Sequence, residues 1–296
     1  MGTKISNLGS YTKIKESVVS RDGTTKFLLE LRDGNLVECV LLLQDYGNTV
    51  CISSQVGCKM ACAFCASGKN GFVRNLSMEE MLVQVMVASK QSPPNTRLTH
   101  VVVMGTGEPF DNFENLMLFL NAVDIGARKI SVSTCGIPDK IKAFADEKRG
   151  VNLCISLHAP NDIIRRKIMP IAKAHPIAEL LDSVKYFFQK TKRRVIFEYA
   201  LIDNMNCDAQ HAVELARLLK SLRISYHVNL INLNAGGGVL NPPTRETAMR
   251  FMDALIKNGV SCTMRKGKGQ DIMAACGQLR NKSVQKNRDH ADMTTI

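Results

Sequence analysis

The chain has 296 residues, 45% of them apolar, and 39 Lys and Arg stand against 27 Asp and Glu for a net charge of +12. That composition excludes a disordered chain, and no apolar run is long enough to cross a bilayer. The positive excess tilts the partner toward a polyanion such as nucleic acid, although it is also ordinary solubility chemistry.

The opening Met1-Gly2-Thr3-Lys4-Ile5-Ser6 lacks the apolar core of a signal peptide, and its fit to the loose myristoylation pattern is discounted. Lys26–Leu31 and Leu36–Val40 flank Asp33-Gly34, which predicts a β-hairpin. Strand candidates then follow at 49–54, 98–104, 129–133, 151–157, 194–201 and 226–231. Helical patterns lie between them, near 78–90, 112–124, 138–147, 176–189 and 208–221. Ser77 with Glu80 forms a capping box for the first helix, and Asp208 can cap the last. Strands alternating with helices imply parallel βα units. Six are too few for a closed eight-stranded barrel, so an α/β fold is expected, an open partial (β/α)6 barrel of TIM type with an N-terminal β-hairpin extension. A helix near 244–257 and a strand near 261–265 complete the pattern. The expected division is 1–44 for the opening segment and hairpin, 45–282 for the barrel and C-terminal segment, and 283–296 for a polar, mobile tail.

Cys58, Cys62 and Cys65 stand at C-x3-C-x2-C on one short loop. Three thiolates so spaced can hold three irons of a [4Fe–4S] cluster and leave the fourth iron open to a substrate or cofactor. A structural zinc site would want four closed ligands, and no fourth Cys or His lies close after Cys65. The ten cysteines, without an export signal, fit a reducing compartment, here the cytoplasm, where thiols serve metals or catalysis. Cys39, Cys154, Cys207 and Cys262 fall in strand or helix patterns and are assigned to packing. The cysteine loop follows the first barrel strand, Gly105–Pro109 the second, Ser133–Gly136 the third and His158–Asn161 the fourth. Barrel active sites collect at these C-terminal strand ends. Gly105 and Gly107 suit either a close approach to a ligand or a strand-ending turn, and His158 suits either a ligand contact or a satisfied core histidine.

The loop, with Phe64 before its last cysteine, resembles the signature of radical S-adenosylmethionine (SAM) enzymes. Its flanks Cys51–Gly57 and Gly71–Leu76 are similar to those of the RNA adenine methyltransferases of the RlmN/Cfr family. So are Gly105–Pro109, Ser133–Gly136, Ser156–Asp162, Val228–Ile231 and Asp271–Leu279. The similarity runs in unbroken order over residues 25–280 and implies the radical SAM barrel, a [4Fe–4S] cluster and SAM.

By that resemblance Gly107 and Glu108 hold the amino end of SAM, and Ser133, Ser156, Leu157, His158 and Asn234 line the rest. Carbon 2 of adenine is electron-poor and will not attack a sulfonium methyl as a nucleophile, so the family uses a carbon radical. The resemblance implies that Cys276 takes a methyl group, that this group is activated and bonds the base, and that Cys51 then releases the product by forming a disulfide. Glu38 maps to the proton acceptor. As a plain residue Cys276 could be buried packing, but Gly267, Gly269 and Gly277 around it favour a loop. The implied partners are ribosomal or transfer RNA and an electron donor such as flavodoxin or ferredoxin, with the enzyme a monomer. Basic runs at Arg128-Lys129, Arg165-Arg166-Lys167, Lys192-Arg193-Arg194 and Arg265-Lys266 form a candidate RNA patch. Methylation at carbon 8, a radical SAM enzyme with a non-RNA substrate, and a non-catalytic iron–sulfur RNA-binding protein are the alternatives; Cys51 with Cys276 weighs against the last. The family's helical domain before the barrel is expected to be missing, since only about twenty residues precede the hairpin. The segment Asn232–Gly238 and Gln270 also depart from the family pattern, which touches substrate recognition more than chemistry.

Overall fold

The structure, a computed structural model, describes residues 12–233, 240–265 and 267–272. Strands β1 (Thr12–Val19), β2 (Thr25–Leu31), β3 (Leu36–Leu42) and β4 (Asn48–Ile52) form an antiparallel meander. β5 (Gln55–Gly57) and β6 (Phe72–Asn75) pair separately and bracket the cysteine loop. The chain then alternates through α1 (Met78–Lys90), β7 (Leu98–Val103), α2 (Phe113–Ala122), β8 (Ile130–Thr134), α3 (Pro138–Asp146) and β9 (Asn152–Ser156). It continues through α4 (Asp162–Ile168), α5 (Ile177–Thr191), β10 (Val195–Leu201), α6 (Ala209–Lys220), β11 (Tyr226–Asn232), α7 (Arg245–Lys257) and β12 (Cys262–Met264). From β4 onward the main sheet is parallel, in the order β4, β7, β8, β9, β10, β11, β12.

All six predicted barrel strands are present within two residues of their expected bounds. Three features differ from the sequence reading, the first being the short β5–β6 pair, which no strand candidate covers. The hairpin gains β1 and joins the barrel through β3–β4 pairing, so it continues the sheet rather than standing apart. β1 was invisible because its side chains are almost all exposed, as suits an edge strand, and it carries little apolar pattern. α4 was also missed, since seven residues are too few to show a helical period.

Alternation along each strand gives the sheet two chemically distinct faces. Val50, Ile52, Val101, Val103, Val132, Leu153, Ile155 and Phe197 face the helices and share one core with Leu116, Phe119, Phe144, Leu180, Phe187, Leu215 and Phe251. Burying each such side chain contributes about 1.5–3 kcal/mol. The other face, with Cys51, Ser133, Ser156 and Asn229, lines the concave interior. Ser77 caps α1 as predicted: its Oγ accepts from the Glu80 N–H at 3.3 Å, and its own N–H donates to Glu80 Oε2 at 3.0 Å. Asp208 stands at the N-cap of α6. No helix among the described residues is long and apolar enough to cross a membrane.

Candidate active site

The cysteine loop leaves β5 at Gly57, whose φ is +77° and where a Cβ would fall 1.9 Å from the Gly71 carbonyl oxygen. Only glycine fits that position. The Cys58 N–H donates to the same Gly71 oxygen at 3.1 Å, and the Ala63 N–H donates to the Ile168 oxygen at the end of α4 at 2.9 Å. Met60, Ile164, Ile168, Met169 and Ile202 form a small core of their own, against which Cys58, Cys62 and Phe64 pack. Burial, and after it the charge of Cys65, pushes the Cys58 thiol up to about 12. Cys62 is pushed up by the same causes. Crowded thiols of this kind ionise when a metal supplies positive charge. Among the described residues no three His, Cys, Asp or Glu side chains converge as ligands of one ion. A cluster does not ask for that convergence, because each thiolate binds a different iron.

The strand ends complete the site. An open cavity of about 610 Å³, partly solvent space, is lined by Cys58, Cys62, Cys65, Gly107, Glu108, Ser133, Cys135, Ser156 and His158. Glu108 is buried; its Oε2 accepts from the Cys135 N–H at 2.7 Å and its Oε1 from the Phe110 N–H at 3.0 Å. Burial holds its carboxyl above the usual range, and those hydrogen bonds oppose the shift. His158 adopts a positive φ of 56° and is both satisfied and part of the site. Its Nδ1 accepts from the Ala200 N–H at 2.9 Å, which leaves the proton of the neutral ring on Nε2. Its ring meets Phe64 edge to face at 4.7 Å. Burial first, and the Arg165 charge second, lower its pKa to about 3. The Ser133 and Ser156 hydroxyls lie 3.4 Å apart on neighbouring strands.

Both glycines of the second strand end answer to the protein's own packing. A Cβ on Gly105 would sit 2.7 Å from the Ile52 backbone, and one on Gly107, with φ +111°, 2.6 Å from Gln55 Cβ. The strand-ending turn therefore explains them, and Gly107 reaches the cavity through its backbone. Leu157 does not line the cavity; its side chain is fully buried in the helix-side core, and its carbonyl oxygen accepts from Arg165 Nε at 3.2 Å. Asn234 and Cys276 lie outside the described residues.

Cys51 pairs with Val40 on β3 and Val102 on β7, which places it on the concave face. Two residues before Val40, and so on the same face, Glu38 forms a buried ion pair with Lys26 at 3.0 Å. Cys51 is a free thiol, as are all the cysteines among the described residues. Cys39, Cys154 and Cys207 are buried, in keeping with packing roles, whereas Cys135 belongs to the cavity wall.

The basic runs separate. Arg128, Lys129 and Arg194 are exposed at the N-terminal ends of β8 and β10, and Lys266 lies outside the described residues. Arg165 is no surface residue: it is fully buried and bonded to backbone carbonyls beneath the site. Sequence reasoning misplaced it because Arg166 and Lys167, its neighbours in the run, are exposed. Gln55 was missed as well. Its Oε1 accepts from the Glu108 N–H at 2.9 Å and its Nε2 donates to Asn75 and Asp111, tying the Glu108 turn to the cysteine hairpin.

Comparison with known proteins agrees with this arrangement. Residues 52–219 match the radical SAM superfamily. A probable dual-specificity RNA methyltransferase RlmN of Spiroplasma citri is 48% identical over 279 residues, covering 92% of this chain and 80% of that protein. Its counterpart from Streptococcus pyogenes serotype M5 is 44% identical, covering 95% and 82%. The crystal structure of a radical SAM methyltransferase from Sphaerobacter thermophilus superimposes with a TM-score of 0.88 at 40% identity, covering 91% of this chain and 81% of that one. A [4Fe–4S] cluster and SAM are the cofactors of this superfamily, and the three-cysteine loop with its polar strand ends fits both. The chain belongs to the radical SAM superfamily and, within it, to the RlmN family of methyltransferases.

Proposed function

We propose that this enzyme methylates carbon 2 of an adenosine in ribosomal or transfer RNA by way of an S-methyl group carried on Cys276. One juxtaposition carries the reading: the three-cysteine loop and the polar strand ends share a single cavity, and Cys51 stands on the concave face below it. The relatives' description as dual-specificity RNA methyltransferases supports RNA as the substrate class, and the charge of +12 suits a polyanion.

When bound, the cluster supplies the electron that splits SAM and yields a deoxyadenosyl radical. The chain's own residues bind, orient and carry the methyl. Glu108 would receive the amino group of SAM, a donor that offsets the cost burial imposes on its carboxylate. His158 offers its Nε2–H, and Ser133 and Ser156 their hydroxyls. Cys276 takes a methyl group by displacement, S-adenosylhomocysteine leaving, and one hydrogen atom of that methyl would then pass to the deoxyadenosyl radical, which leaves as deoxyadenosine. The resulting carbon radical bonds to carbon 2 of the base; one electron passes to a one-electron acceptor of the kind that exchanges electrons with the cluster, and Glu38 accepts the ring proton. The Cys51 thiolate next attacks the Cys276 sulfur. A disulfide forms, the carbon–sulfur bond breaks, and the carbon leaves with the electron pair and takes a proton to become the methyl product.

A target base inside structured RNA must be unstacked to reach a barrel interior. Arg166 and Lys167, exposed on α4 whose end holds the cysteine loop, are the residues proposed to hold the backbone, and a one-electron carrier such as flavodoxin or ferredoxin to reduce the cluster; Arg128, Lys129 and Arg194 lie at the opposite end of the strands. The test incubates anaerobically reconstituted, reduced enzyme with SAM and ribosomal or transfer RNA, then digests the RNA for mass spectrometry. 2-Methyladenosine is the expected product. 8-Methyladenosine would move the reaction to the other carbon, and deoxyadenosine without any RNA modification would overturn RNA as the substrate.

A further inference from the structure

Arg165 presents a charge problem that the protein alone does not solve. The side chain is fully buried, and its guanidinium donates to four backbone oxygens: Cys135 at 2.6 Å, Leu157 at 3.2 Å, and His175 and Ser156 at 3.4 Å. Carbonyls satisfy N–H groups but do not neutralise a cation. Among the described residues no carboxylate forms an ion pair with it. Asp162, one turn earlier on α4, instead accepts the Ile177 N–H at 2.9 Å. An isolated buried cation is costly, so such an arginine persists where something negative faces it.

Its Cys135 partner borders the cysteine site: Cys135 lines the same cavity as Cys58, Cys62 and Cys65. The end of α4 holds that loop through the Ala63 N–H and Ile168 oxygen, and Ile164 and Ile168 pack in the same small core as Cys58 and Cys62. The Cys135 peptide extends the arrangement: its oxygen accepts from Arg165 and its N–H donates to Glu108 Oε2 at 2.7 Å.

We propose that Arg165 is a positioning residue with two effects: its charge offsets the net negative charge of the cluster held by Cys58, Cys62 and Cys65, and its hydrogen bond to Cys135 fixes the turn that presents Glu108. The inference rests on the cluster reading of those three cysteines. Reduction adds one more negative charge beside the guanidinium, so Arg165 makes the cluster easier to reduce; net charge and hydrogen bonding are among the determinants of cluster potential.

The experiment compares wild type, R165Q and R165K after anaerobic reconstitution, without RNA, by redox titration followed by electron paramagnetic resonance. R165Q keeps a polar donor but removes the charge. Its reduced-to-oxidised ratio at a fixed potential is expected to fall at least tenfold, which is 59 mV for one electron. R165K keeps the charge and is expected to hold the wild-type potential while SAM binding, measured by equilibrium dialysis, weakens severalfold. Thermal melts of the apo and loaded forms give a second readout: loading should raise the melting temperature of R165Q less than that of wild type. An unchanged potential in R165Q with normal iron and sulfide content would overturn the proposal. Should R165Q not fold, R165K decides, since a tenfold shift despite its retained charge would overturn the proposal equally. Failure of wild type itself to bind iron and sulfide would instead sink the cluster reading.

Discussion

Ser20 and Asp271, 251 positions apart in sequence, join the two edges of the open sheet. The Ser20 Oγ–H donates to Asp271 Oδ1 at 2.5 Å, and the neighbouring Arg21 N–H donates to Oδ2 at 3.1 Å. Asp22 answers from the same turn by accepting the Gly269 N–H at 3.1 Å. The turn between β1 and β2 is thereby tied to the chain five residues before Cys276.

Asp271→Ala should therefore impair chemistry more than folding. A displacement of about 1 Å costs a reaction of this kind roughly 10²-fold. The expected result is a small change in melting temperature with at least a tenfold loss in the rate of Cys276 methylation, followed by intact-protein mass spectrometry. Wild-type methylation in this variant would show that the tie does not set the position of the cysteine.

The two cysteines should fail in different ways. Cys276→Ala removes the methyl carrier, so RNA methylation is abolished while iron and sulfide content stay at the wild-type level. Cys51→Ala leaves the carrier but removes the thiolate that releases the product. A covalent protein–RNA species is expected to accumulate with SAM, visible as a retarded band on a denaturing gel and lost on nuclease digestion. Continued methylation by Cys276→Ala would refute the assigned route.

The barrel strands and the cysteine loop were legible because their signals are local: apolar runs bounded by turns, and three thiols at fixed spacing. Glu108, Ser133 and His158 meet in one cavity because each stands at the C-terminal end of a strand of one parallel sheet, which the alternating pattern already implied, and the separate β5–β6 pair brings Cys58 to them. Arg165 and Gln55 were illegible for the opposite reason. Their roles depend on which side of a helix or strand faces the loop, and a basic run or a lone glutamine carries no such information. β1 was lost because an exposed edge strand has no core pattern to display. Lys26 shows the same limit: nothing in the sequence says that this lysine is buried against Glu38, whereas the hairpin register places both on one face.

That pair yields a stability prediction. Lys26 and Glu38 are buried together at 3.0 Å, so replacing the lysine takes a close, buried counter-charge away from Glu38. Lys26→Met should destabilise the protein by about 3–5 kcal/mol, and Lys26→Met with Glu38→Gln by less than either change made alone would suggest. Denaturant unfolding of the four proteins of the cycle measures the coupling. If Glu38 also accepts the ring proton, Glu38→Gln will lower RNA methylation without slowing methylation of Cys276. Equal losses in both steps would reduce Glu38 to a structural partner of Lys26.

His158 gives the fold a pH dependence whose sign can be worked out. Its folded-state pKa is depressed to about 3, chiefly by burial, while the unfolded chain titrates near 6.5. The unfolded state thus binds the proton first, and the stability contributed by neutral His158 is complete above about pH 6.5. It is lost as the pH falls toward about 3, at no more than about 1.4 kcal/mol per pH unit for one proton. Glu108 and Glu198 act against this trend, because burial raises their carboxyl pKa values and their protonation favours the folded state. The comparison must therefore be a difference. His158→Asn offers an amide oxygen where Nδ1 now accepts the Ala200 N–H, without a group that titrates. Melting temperatures of wild type and His158→Asn should converge as the pH drops from 7 to 4. A constant gap across that window would mean that His158 titrates alike in the folded and unfolded chain, so that burial does not depress its pKa.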